Sequence, residues 1–455
     1  MKKSVHIEEI PYLADSCALF ERVREMPGAV MLDSCFPHAQ SGRFDILSAE
    51  PMEDLPPPPP TAVNESECRA YFDELRRFHA AHFTGIQPVS EDVPFCGGVL
   101  GYLGYEFGNG LQDVAVSADA IAEPTCLNAY EWCVLQDHLL GRALLITLPW
   151  VSATRRQQLL ERLLRPCTVD AQPFALAGPF QCDSEVEVYR QQFAAIQSYI
   201  QAGDCYQVNL ARHFSARCEG DPWLAYRALR PAAEAPFSAF LSLADGGALL
   251  SLSPERFLSL HGHRVETSPI KGTRPRYADP QADRLAAQDL RNSAKDRAEN
   301  LMIVDLLRND LGRSCVPGSI LVDRLFEVQS YATVHHLVST ISGELQPGRT
   351  AWELLRDSFP GGSITGAPKR RAMQIIAELE SVARGPYCGS ILYVSADGRM
   401  DSNIAIRSLL CRDDTLHCWG GGGIVADSQW QSEYQETWDK VGKFLTLLEN
   451  LPAKG

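Results

Sequence analysis

A chain of 455 residues, 45% of them hydrophobic and 22% charged, has globular composition and length for a large core or two to three domains. Its net charge of −15 argues against a nucleic-acid or anionic-membrane partner, because counterion release needs clustered Lys and Arg. Small anionic substrates stay open, since one pocket can oppose the global sign.

At the N-terminus, His6, Glu8 and Glu9 stand where a secretory signal would need an apolar run. Residues 1–50 mix helix-like and strand-like text and end in Gly42-Arg43-Phe44-Asp45-Ile46. The prolines from Pro56 to Pro60 predict an exposed loop. Ser66 to His82 reads as an amphipathic helix, and Gly97 to Glu106 as a glycine-and-aromatic segment without dinucleotide spacing. Strands are expected over 134–151 and 237–260. The apolar run from Ala143 to Val151 is too short for a bilayer.

Residues 166–185, with Pro166, Pro173 and Pro179, look like a connector between an N-terminal framework at 1–165 and a second region at 186–452. There, helices are predicted over 186–202, 281–312, 350–357, 368–380 and 428–450. Strands are predicted over 205–214, 263–270, 389–396, 403–411 and 415–419. Strand runs mixed with helix runs, without strict alternation, favour an α+β architecture. The 14 cysteines lie singly, with no Cys-x-x-Cys pair, which suits reduced thiols in the cytoplasm and disfavours zinc.

Two helices carry acids of note. At about 100° per residue, Asp296 and Glu299 share the side of Ile303, Leu306 and Leu307 that should face the core. Buried carboxylates there need a cation or hydrogen bonds; salt bridges to Lys295 or Arg297 would serve equally. On the last helix, Tyr434, Trp438, Val441, Leu445 and Leu448 form an apolar stripe. Glu433, Glu436 and Lys440 gather on another side, where Glu436 and Lys440 suit an ordinary i,i+4 ion pair. Together the helices offer two acid-x-x-acid pairs to a hard cation such as Mg²⁺.

Gly361 to Lys369 lacks Walker spacing, and Pro368 removes a donor before the lysine, which excludes a nucleotide loop. Gly420 to Gly423 reads as a turn whose amides could hold a carboxylate, or as a tight turn only. Lys271, at the end of an expected strand, would become a nucleophile only in a dry pocket.

Seen in order, Gly203 to Leu210, Ser251 to Phe257, Pro269 to Thr273, Lys295 to Asn300, the 361–369 loop, the glycine turn and Glu433 to Thr437 resemble the chorismate-utilising family. That family includes anthranilate synthase, isochorismate synthase and salicylate synthase. The resemblance covers about residues 185–450, and more loosely 41–46 and 97–106. It implies an anthranilate-synthase-component-I-like fold, a large antiparallel β-sandwich flanked by helices. It implies Mg²⁺ on Glu299 and Glu436, with Asp296 and Glu433 in support, gripping one carboxylate of chorismate. The other would meet Arg407, Lys440 and the amides of Gly421, Gly422 and Gly423, with Tyr393, His336 and Thr365 also on pocket positions.

Within the family, enzymes that add water at C2 use a lysine where this chain has Gln207. Anthranilate synthases usually carry alanine where it has Lys271. The resemblance therefore favours the branch that aminates chorismate at C4 toward 4-aminobenzoate and folate. It implies Lys271 as nucleophile and Glu255 as general acid. No glutaminase nucleophile is visible, so ammonia is expected from a glutamine amidotransferase subunit (component II) or from solution. A tryptophan pocket is implied at Ser34, Ser41, Gly42, Arg43, Phe44, Pro236, Phe237 and Ser238. The rival expectations are an anthranilate synthase component I and a non-catalytic chorismate or tryptophan sensor.

Overall fold

The computed structural model describes residues 3–39, 42–59, 64–115, 121–165, 171–331 and 334–451. Two large antiparallel sheets, of thirteen and nine strands among these residues, carry the architecture. The larger runs from His6–Ile10 at one edge through Val30–Asp33, Phe237–Ser242 and Ala248–Ser253 to Thr415–Ile424 and Gln207–Glu219. The smaller holds Ile270–Pro275, Val334–Glu344, Arg256–His261, Met400–Asn403, Ser390–Ser395 and Gly98–Leu103. Both sheets therefore draw strands from before residue 165 and after residue 186.

The strands read as near-continuous apolar runs because both faces are covered. Val30, Ile46, Leu241 and Leu249 of the larger sheet share one core with Val99, Leu100, Leu258 and Leu392 of the smaller. Their chain neighbours Met31, Leu47, Phe240 and Leu250 point the other way, as strand alternation requires. Those residues pack with Trp223, Tyr226, Leu445 and Leu448 from two helices on the outer face. An α+β sandwich flanked by helices results, as expected. No helix among the described residues is long and apolar enough to cross a membrane.

Several expected elements divide. The helix expected over 281–312 is two, Pro280–Asn292 and Ala294–Gly312, broken at Ser293. Ser293 Oγ accepts the Asp296 amide at 3.2 Å and caps the second helix. The strand expected over 263–270 is Arg264–Thr267 and Ile270–Pro275. On the last helix, Trp430–Glu449, Val441, Leu445 and Leu448 are buried as expected, but Trp438 is exposed and Glu433 is buried.

One partly buried acid in the framework gives a stability test. Glu106 opens the Tyr105–Leu111 helix and accepts the Arg384 amide at 2.8 Å. Burial, only partly opposed by backbone hydrogen bonds and the Arg384 charge, pushes its carboxyl up to about 7. The unfolded chain releases this proton at lower pH than the folded one. Stability from Glu106 is thus complete below its ordinary value and lost as pH rises through about 7. In Glu106→Gln, denaturant unfolding followed across roughly pH 5 to 8 should lose that part of the slope. An unchanged slope would refute the assignment.

Candidate active site

The lysine strand is bent on purpose. Ile270 pairs with Val338 and Thr273 with His336, so Lys271 and Gly272 together oppose Leu337 alone. A bulge of this kind re-aims a side chain. Gly272 adopts φ +82°, and a Cβ there would lie 2.9 Å from the Asp296 carboxyl and from Leu290. Lys271 Nζ then donates to the Ser363 carbonyl at 3.0 Å.

Glu255 sits in the link between Ala248–Ser253 and Arg256–His261. Its amide donates to Ser253 Oγ at 3.2 Å and its carbonyl accepts the Ile404 amide at 3.0 Å. The residue is 6% exposed. Burial pushes the carboxyl above the usual range, opposed by the Lys271 charge and by hydrogen bonds from Ser363 and Ile270. Burial also lowers the Lys271 amine; Glu255 opposes this and the Lys440 charge adds to it. Desolvation thus favours a neutral amine facing a neutral acid, a pair able to exchange one proton.

The acids of the two helices meet beside this pair. Burial raises the Glu299 carboxyl, with Asp296 and Glu436 adding and Lys271 and Lys295 opposing. At Glu436 burial also acts upward, but Lys440 at 2.7 Å leads the opposing charges and the carboxyl stays below its usual range. Both plain helix pairs therefore form, the second being Lys295–Glu299 at 3.8 Å. Glu433 is 3% exposed and accepts Ser428 Oγ at 2.7 Å, while Asp296 is bound to Arg274 at 3.0 Å. Among the described residues no three metal-binding side chains converge. Asp296 and Glu433 are held by neighbours, and the Glu436 charge acts on Glu299 across the two helices. Two carboxylates brought together fit a hard cation that completes its shell from water and an anionic ligand.

Gly420 to Gly423 are not a turn. They lie in the strand Thr415–Ile424, paired with Gln207–Glu219, with Leu210 opposite Gly422. Pairing to Ser408–Arg412 ends at Cys418, so one edge of the glycine segment is released from that neighbour. The absence of side chains lets other groups approach. Tyr387 Oη and Asn209 Oδ1 lie 2.8 and 2.9 Å from where a Gly421 Cβ would sit, and Gln207 Nε2 lies 2.9 Å from that of Gly423. Gln207 Nε2 and Asn209 Oδ1 are buried without a protein partner among the described residues. Lys440 Nζ donates to the Gly421 carbonyl at 2.8 Å.

Arg407 enters this region with φ +51° and with no ion-pair partner among the described residues. Burial lowers its guanidinium, and the Glu255 charge opposes that. His336 bonds Thr273 Oγ1 at 2.9 Å; burial first, then the Arg407 charge, pushes it down to about 4, so it is neutral at working pH. Two expected pocket residues have their side chains engaged otherwise. Thr365 is fully buried and its hydroxyl donates to the Gly361 and Gly362 carbonyls at 3.1 and 3.3 Å, shaping the loop. Tyr393 packs on Phe95 and lines a second cavity. Tyr387, stacked on Trp419, takes the place expected of Tyr393 beside the glycine strand. Tyr387, Asn209 and Ser363 were missed because no periodicity or charge pattern marks them.

The second cavity, of about 850 Å³, is lined by Ser34, Gly42, Arg43, Phe44, Pro236, Phe237 and Ser238. Ser41 lies outside the described residues. Ser34 Oγ donates to Asp45 at 2.6 Å, and Arg43 pairs with Asp137 at 3.0 Å. Pro254 and Ile270, the neighbours of Glu255 and Lys271, also line it.

A profile described as chorismate binding enzyme matches residues 35–446. The chain is 46% identical over 437 residues to aminodeoxychorismate synthase component 1 of Escherichia coli K12, covering 94% of this chain and 95% of that protein. It is 38% identical to anthranilate synthase component 1 of Streptomyces coelicolor, over 83% of this chain and 77% of that one. In structure it resembles anthranilate synthase component I from Streptococcus pneumoniae TIGR4, with a TM-score of 0.76 at 28% identity, covering 90% and 93% of the two chains.

Proposed function

The chain belongs to the chorismate binding enzyme family, and from that premise we propose that it converts chorismate and ammonia to 4-amino-4-deoxychorismate. Its identity to the Escherichia coli aminodeoxychorismate synthase component 1, 46%, exceeds the 38% to the Streptomyces coelicolor anthranilate synthase component 1. The observation that carries the reading is the bulged lysine, its amine on the Ser363 carbonyl beside the buried acid Glu255.

Lys271 Nζ, neutral, attacks C2 of chorismate. Both ring double bonds shift, from C1=C2 to C1=C6 and from C5=C6 to C4=C5, and the C4–O bond breaks, the departing oxygen taking the Glu255 proton and leaving as water. The new secondary ammonium returns its proton to Glu255. Ammonia then attacks C4, both double bonds shift back, and the C2–N bond to Lys271 breaks as Glu255 protonates the departing nitrogen, so the lysine leaves as a neutral amine. The attacking nitrogen returns one proton to Glu255. Atoms and protons balance over the two displacements.

Arg407, Lys440 and the open edge of the glycine strand supply positive character for one carboxylate of the substrate. Glu299 and Glu436 would hold Mg²⁺ against the other, with Asp296 and Glu433 orienting them; when bound, the ion supplies Lewis-acid polarisation and a template. Neutral His336 brings no charge to the substrate and can hydrogen-bond to it. Gln207, an amide, cannot serve as the base that water addition at C2 would need. The component 1 designation of the relatives fits a partner, here a glutamine amidotransferase that supplies ammonia in the cytoplasm.

Incubation with chorismate, MgCl₂ and an ammonium salt, followed by mass analysis, tests this. The expected product is 4-amino-4-deoxychorismate without pyruvate. Anthranilate with pyruvate, or isochorismate, would sink the reading.

The cavity at Ser34, Gly42 and Phe237 suits one tryptophan. Its aromatic wall takes the indole, and its paired charges take the ammonium and carboxylate. Calorimetric titration should show one site, weakened about tenfold or more in Gly42→Ala, whose Cβ would collide with the Ser34 carbonyl. Absence of binding by the parent protein would refute it.

A further inference from the structure

Ser363 meets Lys271 through its carbonyl and Glu255 through its side chain, and a buried cation holds the loop that carries it. Arg384 lies at its back, 1% exposed, among the largest fully buried side chains. Its Nη1 donates to the Ile364 carbonyl at 3.2 Å, one residue from Ser363. Its Nη2 donates to the Asn209 carbonyl at 2.8 Å, on the strand that carries Gln207. Nε and Nη2 clasp the Glu380 carboxylate at 2.8 and 2.7 Å. Glu380 in turn accepts the Ala211 amide at 2.8 Å. The guanidinium also stands 4.5 Å from the Tyr105 ring centroid, and the Arg384 amide donates to Glu106.

One planar cation therefore joins four parts of the chain: the 361–369 loop, the strand at 207–219, the end of the Lys369–Leu379 helix and the framework helix at Tyr105. A guanidinium has five donors in a fixed fork, so its partners are set in mutual geometry as well as in charge. The Asn209 amide returns a bond to the Thr365 carbonyl at 2.9 Å, which closes the frame around Ser363. Ser363 is the residue that both Lys271 and Glu255 touch. A shift of the loop would separate donor and acid without removing any group that meets substrate.

We propose that Arg384 is a positioning residue for the amination reaction, its buried guanidinium holding the Ile364 and Asn209 carbonyls so that Ser363 orients Lys271 and Glu255. This rests on the reading of Lys271 and Glu255 given above. It also gives the framework half a chemical role, since Tyr105 and Glu106 complete the seat of the guanidinium.

The test combines kinetics of Arg384→Lys, Arg384→Met and Glu380→Gln with a crystal structure of Arg384→Lys. Because the substrate carboxylate groups are untouched, KM for chorismate should stay within about threefold. For Arg384→Met, kcat should fall about a hundredfold, and lysine should restore part of it. In the crystals the 3.0 Å contact from Lys271 to Ser363 should be broken. Unchanged kcat in a folded Arg384 variant, or a lowered kcat with that contact intact, would overturn the proposal. If neither Arg384 variant folds, Glu380→Gln decides: a tenfold fall in kcat with KM held supports it, and unchanged kcat refutes it. Should Lys271→Ala still make product, the nucleophile reading alone fails, because the crystallographic contact is scored without reference to chemistry.

Discussion

Lys271→Ala is expected to lower amination by roughly a thousandfold, about 4 kcal/mol in the barrier, while chorismate still binds. The bulge between Ile270 and Thr273 turns one amine out of the strand's alternation, and Gly272 can follow only because it lacks a Cβ. The amine is then desolvated beside Glu255, which disfavours its charged form, with the Glu255 charge opposing. Quenching the parent enzyme with chorismate and reading intact mass should reveal an adduct of chorismate less one water. The Lys271→Ala protein should show none. The same adduct on the variant would end the nucleophile assignment and leave the family untouched. Glu255→Gln should retain the lysine but slow adduct formation by about a hundredfold, because the hydroxyl then leaves without its proton.

The second large effect concerns the paired acids. Glu299→Gln and Glu436→Gln should each weaken magnesium binding by at least about a hundredfold, read both by calorimetry and by magnesium titration of turnover. Asp296→Asn and Glu433→Gln should cost about tenfold, since Arg274 and Ser428 already hold those side chains. Equal, small effects at all four positions would show that the acids only serve the helix ion pairs with Lys295 and Lys440. The distinction matters because both pairs form as ordinary i,i+4 contacts. What separates Glu299 from such a surface pair is its raised carboxyl, driven first by burial and then by acids on either side. A carboxylate in that setting gains from a divalent ion more than from one distant lysine.

Much of the second half was legible before any coordinates. Helices at 186–201, 351–358 and 369–379 matched expectation to within a few residues, because each carries a sustained 3.6-residue pattern. The Ser293 break was present in the text as Ser-Ala-Lys-Asp, an N-cap with an acid three residues on, but one amphipathic pattern runs across it. The glycine segment misled for a definite reason. Four glycines read as a turn when isolated, yet here they form a central strand because Tyr387, Asn209, Gln207 and Thr437 crowd where side chains would be. Close approach, unlike periodicity, has no signature along one chain.

Sequence by itself determined the kinds of chemistry available: two acid pairs at helical spacing, one lysine before a glycine, an amide where a base would be needed, and motifs in a familiar order. Local spacing encodes these, since three or four residues on a helix and two on a strand are fixed by backbone geometry. Tertiary structure alone decided which groups meet. It chose Tyr387 over Tyr393, tied Thr365 into its own loop, and gathered Arg384, Glu380, Tyr105 and Asn209 from segments up to 279 residues apart around Ser363. Those contacts are set by how two sheets and their helices bury apolar surface, a property of the whole packed chain that no local stretch of it contains.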